Sequence, residues 1–200
     1  MDDKKAQLVE KRHEQILTAA KHLFARNGFR RTQIDDIANS ITIGKGTIYR
    51  YFKDKKSLFL AVFEQGIACL RLAMDSIYSI ADPRQRIAAA VKTYFEFFDN
   101  DREFIELMMQ VRSEFKDDYR RIFLAVYSDY IVKIQNDLSA GVQMGVFREM
   151  NVEKTADAIS AALQGILQSF YIREFGSGTE SLTDKTNAVT ALLLDGLLKR

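Results

Sequence analysis

The sequence predicts an all-α protein, and three observations carry that expectation. A single proline and no tryptophan in 200 residues, with only ten glycines, leave few of the turns a sheet protein needs. A hydrophobic content of 47% supplies ample core. Through most of the chain the apolar residues recur at i, i+3, i+4 and i+7, the period of one helical face.

Taken in order, a first helix runs from about Lys11 to Asn27 with Ile16, Leu17, Ala20, Leu23 and Phe24 on one face, and Asn27-Gly28 is its stop. Thr32 caps a short second helix with Ile34, Ile37 and Ala38 inward and Asp35 and Asp36 in its first turn, where the helix dipole favours acids. A third starts near Gly44 or Lys45 and holds Ile48, Tyr49 and Phe52. Asp54 caps a fourth that runs from Lys55 to about Ile80. Asp82-Pro83 ends that helix and starts the next, which reaches about Asp99. Further helices are expected over 101–115, 117–145, 152–175, with Asn151 as a cap, and 183–199. The run from Phe175 to Thr183 is the one loop-like cluster.

Charge is unevenly placed. Residues 1–60 carry 13 Lys and Arg against 7 Asp and Glu, a net +6, which leaves 16 against 20, or −4, for the remainder. Local basic character of this kind points to a polyanion met by the first part only. Cys69 lies in an apolar run and reads as a small core residue in a reduced compartment. The first fifteen residues are too charged for a signal peptide, and no apolar run approaches the roughly 18 residues that span a bilayer, so a soluble, cytoplasmic protein without a membrane partner is expected.

The stretch ITIGKGTIYRYFKDKKSLF, Ile41 to Phe59, crowds two glycines, two tyrosines and five cationic side chains into one segment. Two short helices joined by a tight turn, the second presenting small and polar residues, form the arrangement that places a helix in a DNA major groove. Gly44, Gly46 and Thr47 suit the groove-facing side. Tyr49 and Tyr51 can reach phosphates through their hydroxyls, Lys45 and Arg50 through charge, and Lys55 from a helix N-terminus, while Phe52 anchors the motif inward.

GFRRTQIDDIA, Gly28 to Ala38, followed after five residues by GKGTIYRYFKDKKSLF, resembles the DNA-binding domain of the TetR family of bacterial transcriptional regulators. The resemblance spans about Gln15 to Phe63. It implies that Thr32 caps the second helix and touches a phosphate with Gln33 beside it, that Lys45 to Tyr49 form the recognition helix, and that Tyr49, Tyr51 and Lys55 grip the backbone. The turn departs from the family: alanine, glycine, valine and serine are usual where Ile41, Thr42, Ile43 and Gly44 stand, and Thr42 occupies a position that often needs positive φ.

The resemblance further implies an N-terminal three-helix helix-turn-helix domain, 1–56, and a larger helical ligand-binding and dimerisation domain, 57–200. Ala158, Ala162 and Leu163, with Leu192 and Leu193 of the last helix, are expected in a four-helix dimer interface. Aromatic and methionine residues are denser than a minimal core needs. Phe63, Ile67, Phe95, Phe98, Phe104, Met108 and Phe123 are therefore candidates to line an effector pocket, as are Tyr127, Leu167, Phe170 and Tyr171, with Arg112 and Gln110 as polar groups that orient a ligand. The segment FIELMMQVRSEFKDDYRRIF is similar in placement to that of regulators binding fatty acyl-CoA thioesters.

His13 and His22 stand too far apart for a ligand pair, one cysteine makes no zinc site, and neither a phosphate loop nor a nucleophile elbow is present. No metal, cofactor or enzymatic activity is expected. The leading expectation is a homodimeric repressor that reads a palindromic double-stranded operator and is released by a small apolar effector, with a fatty acyl-CoA or other lipid-like molecule as the candidate. Two alternatives stand beside it: a helical protein-interaction module that kept the motif, and a DNA-binding regulator without an effector.

Overall fold

The structure is a computed structural model that describes residues 2–177 and 181–198. Among them lie helices α1 (Asp2–Asn27), α2 (Ile34–Ser40), α3 (Lys45–Tyr51), α4 (Lys55–Asp75) and α5 (Pro83–Asn100). They are followed by α6 (Arg102–Glu114), α7 (Lys116–Gln143), α8 (Val152–Ser177) and α9 (Thr186–Leu197). Single 3₁₀ turns, Ser76–Ser79 and Thr183–Lys185, follow α4 and precede α9. An isolated bridge between Phe147 and Leu198 is the only extended pairing among the described residues. The loop expected from Phe175 to Thr183 and the end of the last helix at 199 lie partly outside the described residues.

Local chemistry accounts for most boundaries. Asp54 Oδ1 accepts from the Ser57 amide at 2.7 Å, and Asp82 Oδ1 from the Arg84 amide at 2.8 Å with Pro83 at the first helical position. Asn151 Oδ1 accepts from the Lys154 amide at 2.9 Å. Gly28 and Gly145 end α1 and α7 at φ of 81° and 68°, where a side chain would be strained. Two expectations are corrected. Residues 2–10 are helical as well, because good helix formers with two acids at the start need no apolar stripe to continue α1. Cys69 is exposed, on the outer side of α4.

The chain divides into two compact units, 1–68 with 102–122, and 69–101 with 123–200. In the first unit α6 and the start of α7 pack with the first helices. In the first unit the rings of Phe24 and Phe59 meet edge to face at 4.9 Å, as do Phe29 and Phe115 at 4.8 Å. Phe63 stacks on Phe104 at 5.8 Å, and Phe104 in turn fills the space beside Gly66: a Cβ there would stand 2.1 Å from the ring. Glycine is required at 66 by that close approach.

In the second unit Asp99, at the end of α5, receives the Leu182 and Thr183 amides at 3.0 and 2.7 Å and the hydroxyl of Thr183 at 2.7 Å. It also binds the Ser181 hydroxyl. One carboxylate thus fixes the approach to α9. Gly141 of α7 lies under the Phe147 ring, which a Cβ would meet at 2.0 Å.

One helical stretch, Lys55–Ser79, is long and apolar enough to cross a bilayer by length and composition, contrary to the expectation that no run approached that length. Leu58, Phe59, Val62, Phe63, Leu70, Met74 and Ile77 of this stretch are buried inside the protein.

Candidate nucleic-acid interface and effector cavity

The helix-turn-helix is built on buried Ile34, Ile37, Ala38, Ile48 and Phe52, which leave the opposite sides of α2 and α3 to solvent. Between the helices Thr42 takes φ of 55°, and the Thr42 and Ile43 amides close the turn on the carbonyls of Asn39 and Ala38 at 3.2 and 3.0 Å. The chain therefore makes the left-handed turn with a β-branched residue, a conformation that costs of order 1–3 kcal/mol. Gly44 is the N-cap of α3, and nothing lies within 4 Å of where a Cβ at Gly44 or Gly46 would stand. Both glycines leave the helix start open to a close approach by another molecule.

On α3, Lys45, Tyr49 and Arg50 are exposed, with Tyr49 at 50%, while Thr47 is half-buried. Lys45 pairs with Asp35 of α2 at 3.3 Å, an exposed contact of small energetic weight. Tyr51 is half-buried, its hydroxyl 3.4 Å from the Val9 carbonyl and its ring 5.9 Å from that of His13. Gln33 is exposed and is itself the N-cap of α2, its amide donating to Asp36 Oδ2 at 3.1 Å.

Two residues expected at phosphates, Thr32 and Lys55, already bond to backbone carbonyls of the protein. Thr32 is fully buried, its hydroxyl shared between the carbonyls of Gly28 at 2.8 Å and Leu23 at 3.1 Å, so it does not cap α2. The reason is that helix α2 begins at Ile34, one residue later than a Thr32 cap requires. Lys55 donates to the carbonyls of Thr32 at 2.9 Å and Arg30 at 3.3 Å and lies 4.5 Å over the Phe29 ring. Those bonds hold the loop between α1 and α2.

The polar groups expected to orient a ligand from α6 do other work. Gln110 accepts from the Phe29 amide and donates to the Phe24 carbonyl, both at 2.9 Å, and Arg112 is exposed. His22 Nδ1 meets Glu103 at 2.6 Å, Arg30 meets Glu114 at 2.9 Å, and Lys56 meets Asp118 at 2.8 Å, all within the first unit.

A cavity of about 60 Å³ lies within the second unit. Met74 and Ile77 form one wall, Ile87, Ala90 and Val91 of α5 another, and Ile134 and Leu138 of α7 a third, with Ile159, Leu163 and Leu193 closing it. Four polar residues also face it: Tyr78, Arg86, Tyr130 and Asp137. Arg86 and Asp137 form a direct ion pair, their side chains 17% and 14% exposed. Burial pushes the Asp137 carboxyl up even against its Arg86 partner, and pushes the Tyr78 phenol up to about 12. The oxygen of Tyr130 is buried with no hydrogen-bond partner.

None of the expected effector residues lines this cavity. Phe63 and Phe104 are packed into the first unit, and Phe95, Phe98, Leu167 and Phe170 into the second, each at most 2% exposed. Ile67, Met108 and Tyr171 are half-buried elsewhere, and Phe123 stacks on Tyr127 at 5.2 Å. Large side chains on an apolar stripe are the first to be consumed by the core. The cavity's own polar residues had a weaker signal: Tyr130, Ile134, Asp137 and Leu138 follow one helical stripe, so Asp137 falls on the inward side of α7. Of the expected dimer residues, Ala158 and Ala162 are exposed and Leu192 is 74% exposed, whereas Leu163 and Leu193 turn to the cavity.

A three-helix motif with an open, basic recognition helix, joined to a larger helical domain, defines a DNA-binding regulator. Residues 16–62 match the model for bacterial regulatory proteins of the tetR family, so the helix-turn-helix part of the chain is of the TetR type. The HTH-type transcriptional activator FasR of Mycolicibacterium smegmatis is 30% identical over 111 residues, 55% of this chain and 48% of the relative, so the match spans about half of that protein's length. The fatty acid metabolism regulator protein of Bacillus subtilis is 21% identical over 93% of this chain and 95% of its own. The crystal structure of the transcriptional regulator FadR from Bacillus subtilis in complex with stearoyl-CoA shares the fold, with a TM-score of 0.78 and 22% identity over 92% of this chain and 98% of that one.

Proposed function

We propose that the protein is a cytoplasmic, homodimeric transcriptional repressor that binds a palindromic operator through α3 and is released by a small apolar effector. The observation that carries this reading is the face of α3, where two glycines leave the backbone open and Lys45, Tyr49 and Arg50 stand exposed beside them. Phosphate contacts by such cations position a helix, and contacts from Gly46 and Thr47 to base edges specify the sequence. Dimerisation through α8 and α9 is supported by Ala158, Ala162 and Leu192, which would otherwise stay in water. No catalytic role is assigned to any residue.

The switching mechanism follows from α4. It is one continuous helix of 21 residues, with Lys55 holding the loop of the DNA-binding motif at its start and Met74 at the cavity near its end. A ligand that displaced Met74 would tilt it, and the recognition helices of a dimer would lose their spacing on a rigid operator. The stearoyl-CoA bound by the Bacillus subtilis regulator supports a lipid-like effector. A gel shift on the promoter region beside the protein's own gene, at rising salt, tests the reading: specific binding that weakens steeply with salt supports it, and no retarded species at low salt defeats it.

A second reading, a regulator without an effector, is favoured by one observation. The cavity holds about 60 Å³, well below the roughly 300 Å³ of a drug-sized ligand site, so an acyl chain must part the helices to enter. Unchanged operator affinity in the presence of acyl-CoA, acyl ester and free acid would support this second reading.

A further inference from the structure

We infer that the cavity of the second unit seats the uncharged carbonyl oxygen of an otherwise apolar compound on the hydroxyl of Tyr130. The inference rests on reading this cavity as the effector site and names the chemistry it accepts.

Each charge that faces the cavity is already answered by the protein. Arg86 spends Nε on the Ile80 carbonyl at 2.7 Å, Nη2 on the Ala81 carbonyl at 3.4 Å and Nη1 on Asp137. Near Tyr130, Lys133 pairs with Asp75 and lies 4.9 Å over the Tyr78 ring, and the shallow hollow beside it is shared by Arg71 and Asp129. Among the described residues Arg86 is the one cation lining the cavity and already serves three acceptors, so a carboxylate ligand there would compete with Asp137; an ammonium would face Arg86. Either would pay for burial without a partner.

The hydroxyl of Tyr130 is different. Its oxygen is buried, no protein group bonds to it, and apart from Tyr78, Arg86 and Asp137 the walls are aliphatic. Burial, the Asp75 carboxylate and the Tyr78 phenol raise its pKa, so it stays a neutral phenol that can donate one hydrogen bond. An uncharged acceptor answers that group and leaves the ion pairs undisturbed. Ketone and ester carbonyls fit; a free acid does not.

Four six-carbon probes separate the possibilities: 2-hexanone, hexanoate, hexylammonium and hexane, titrated into the full-length protein and followed by methyl NMR of Ile87 and Ile134. The expected result is that 2-hexanone binds most tightly and shifts those methyls, and that Tyr130→Phe weakens it about five- to tenfold while leaving hexane binding unchanged. Tighter binding of hexanoate or hexylammonium than of 2-hexanone overturns the inference, as does equal ketone affinity in wild type and Tyr130→Phe. The ranking in wild type needs no variant to fold. If no probe shifts the Ile87 or Ile134 methyls, the cavity is not the effector site, and the reading on which the inference rests fails with it.

Discussion

Phe29 and Gln110 are joined across 81 positions of sequence by a 2.9 Å bond from the Phe29 amide to the Gln110 side-chain oxygen. The same side chain donates to the Phe24 carbonyl, so one residue of α6 bridges both sides of the turn that leads into the DNA-binding motif. The turn's geometry depends on a residue far from it in the chain.

Replacing Gln110 with leucine leaves a part-buried amide and carbonyl without that partner. A loss of about 1–3 kcal/mol in stability is expected. Operator affinity should fall with unchanged base preference, read by thermal melts and by binding to a panel of operator variants.

Thr32→Val should destabilise the first unit by roughly 1–2 kcal/mol, because the hydroxyl serves two buried carbonyls. The salt slope of DNA binding should not change. An equal loss of affinity for all duplexes, beyond what the loss of stability explains, would restore a phosphate contact by Thr32.

Arg50→Ala and Tyr49→Ala should weaken binding to all DNA sequences, and the arginine change should lower the salt slope by about one. Thr47→Ala should instead alter the preferred bases. Fluorescence anisotropy at several salt concentrations, with specific and scrambled duplexes, distinguishes the two effects.

The motif itself was legible in the sequence because its signals are local. Asp54, Asp82 and Asn151 sit at helix starts they cap, and Ile34, Ile37 and Ile48 fall on buried stripes. Even the strain at Thr42 follows from its place in a turn that requires positive φ. What was not legible depends on partners distant in sequence. Nothing near Gln110 marks it as a clamp for Phe29, and the aromatic density around Phe95 and Phe98 signals a core as readily as a pocket. Leu163 and Leu192 look alike in sequence, yet one faces a cavity and the other solvent.

That difference separates two substitutions. Leu192→Asp should dissociate the proposed dimer while leaving the helical content intact, whereas Leu163→Asp buries a charge beside the cavity and should destabilise the fold itself. Sedimentation velocity paired with circular dichroism reads both.

Asp99 predicts a pH dependence. Burial would raise its pKa, but hydrogen bonds from Ser181, Thr183 and Leu182 prevail and hold it below the ordinary value of 3.8. A carboxylate so depressed stabilises the native state above its unfolded pKa, and that contribution is lost as pH falls through the folded value. Asp99→Asn should therefore lower the melting temperature at pH 7, with the gap to wild type closing as pH drops below about 4.

Sequence-specific recognition by a dimer of this chain is tested most directly by selecting bound duplexes from a randomised DNA library with the wild-type protein. The account predicts enrichment of a palindrome whose half-site centres lie about 10–10.5 base pairs apart or a multiple of that, lost when Thr47 and Arg50 are both replaced by alanine. Failure to enrich any sequence, or enrichment of a single asymmetric site indifferent to those two residues, would contradict it.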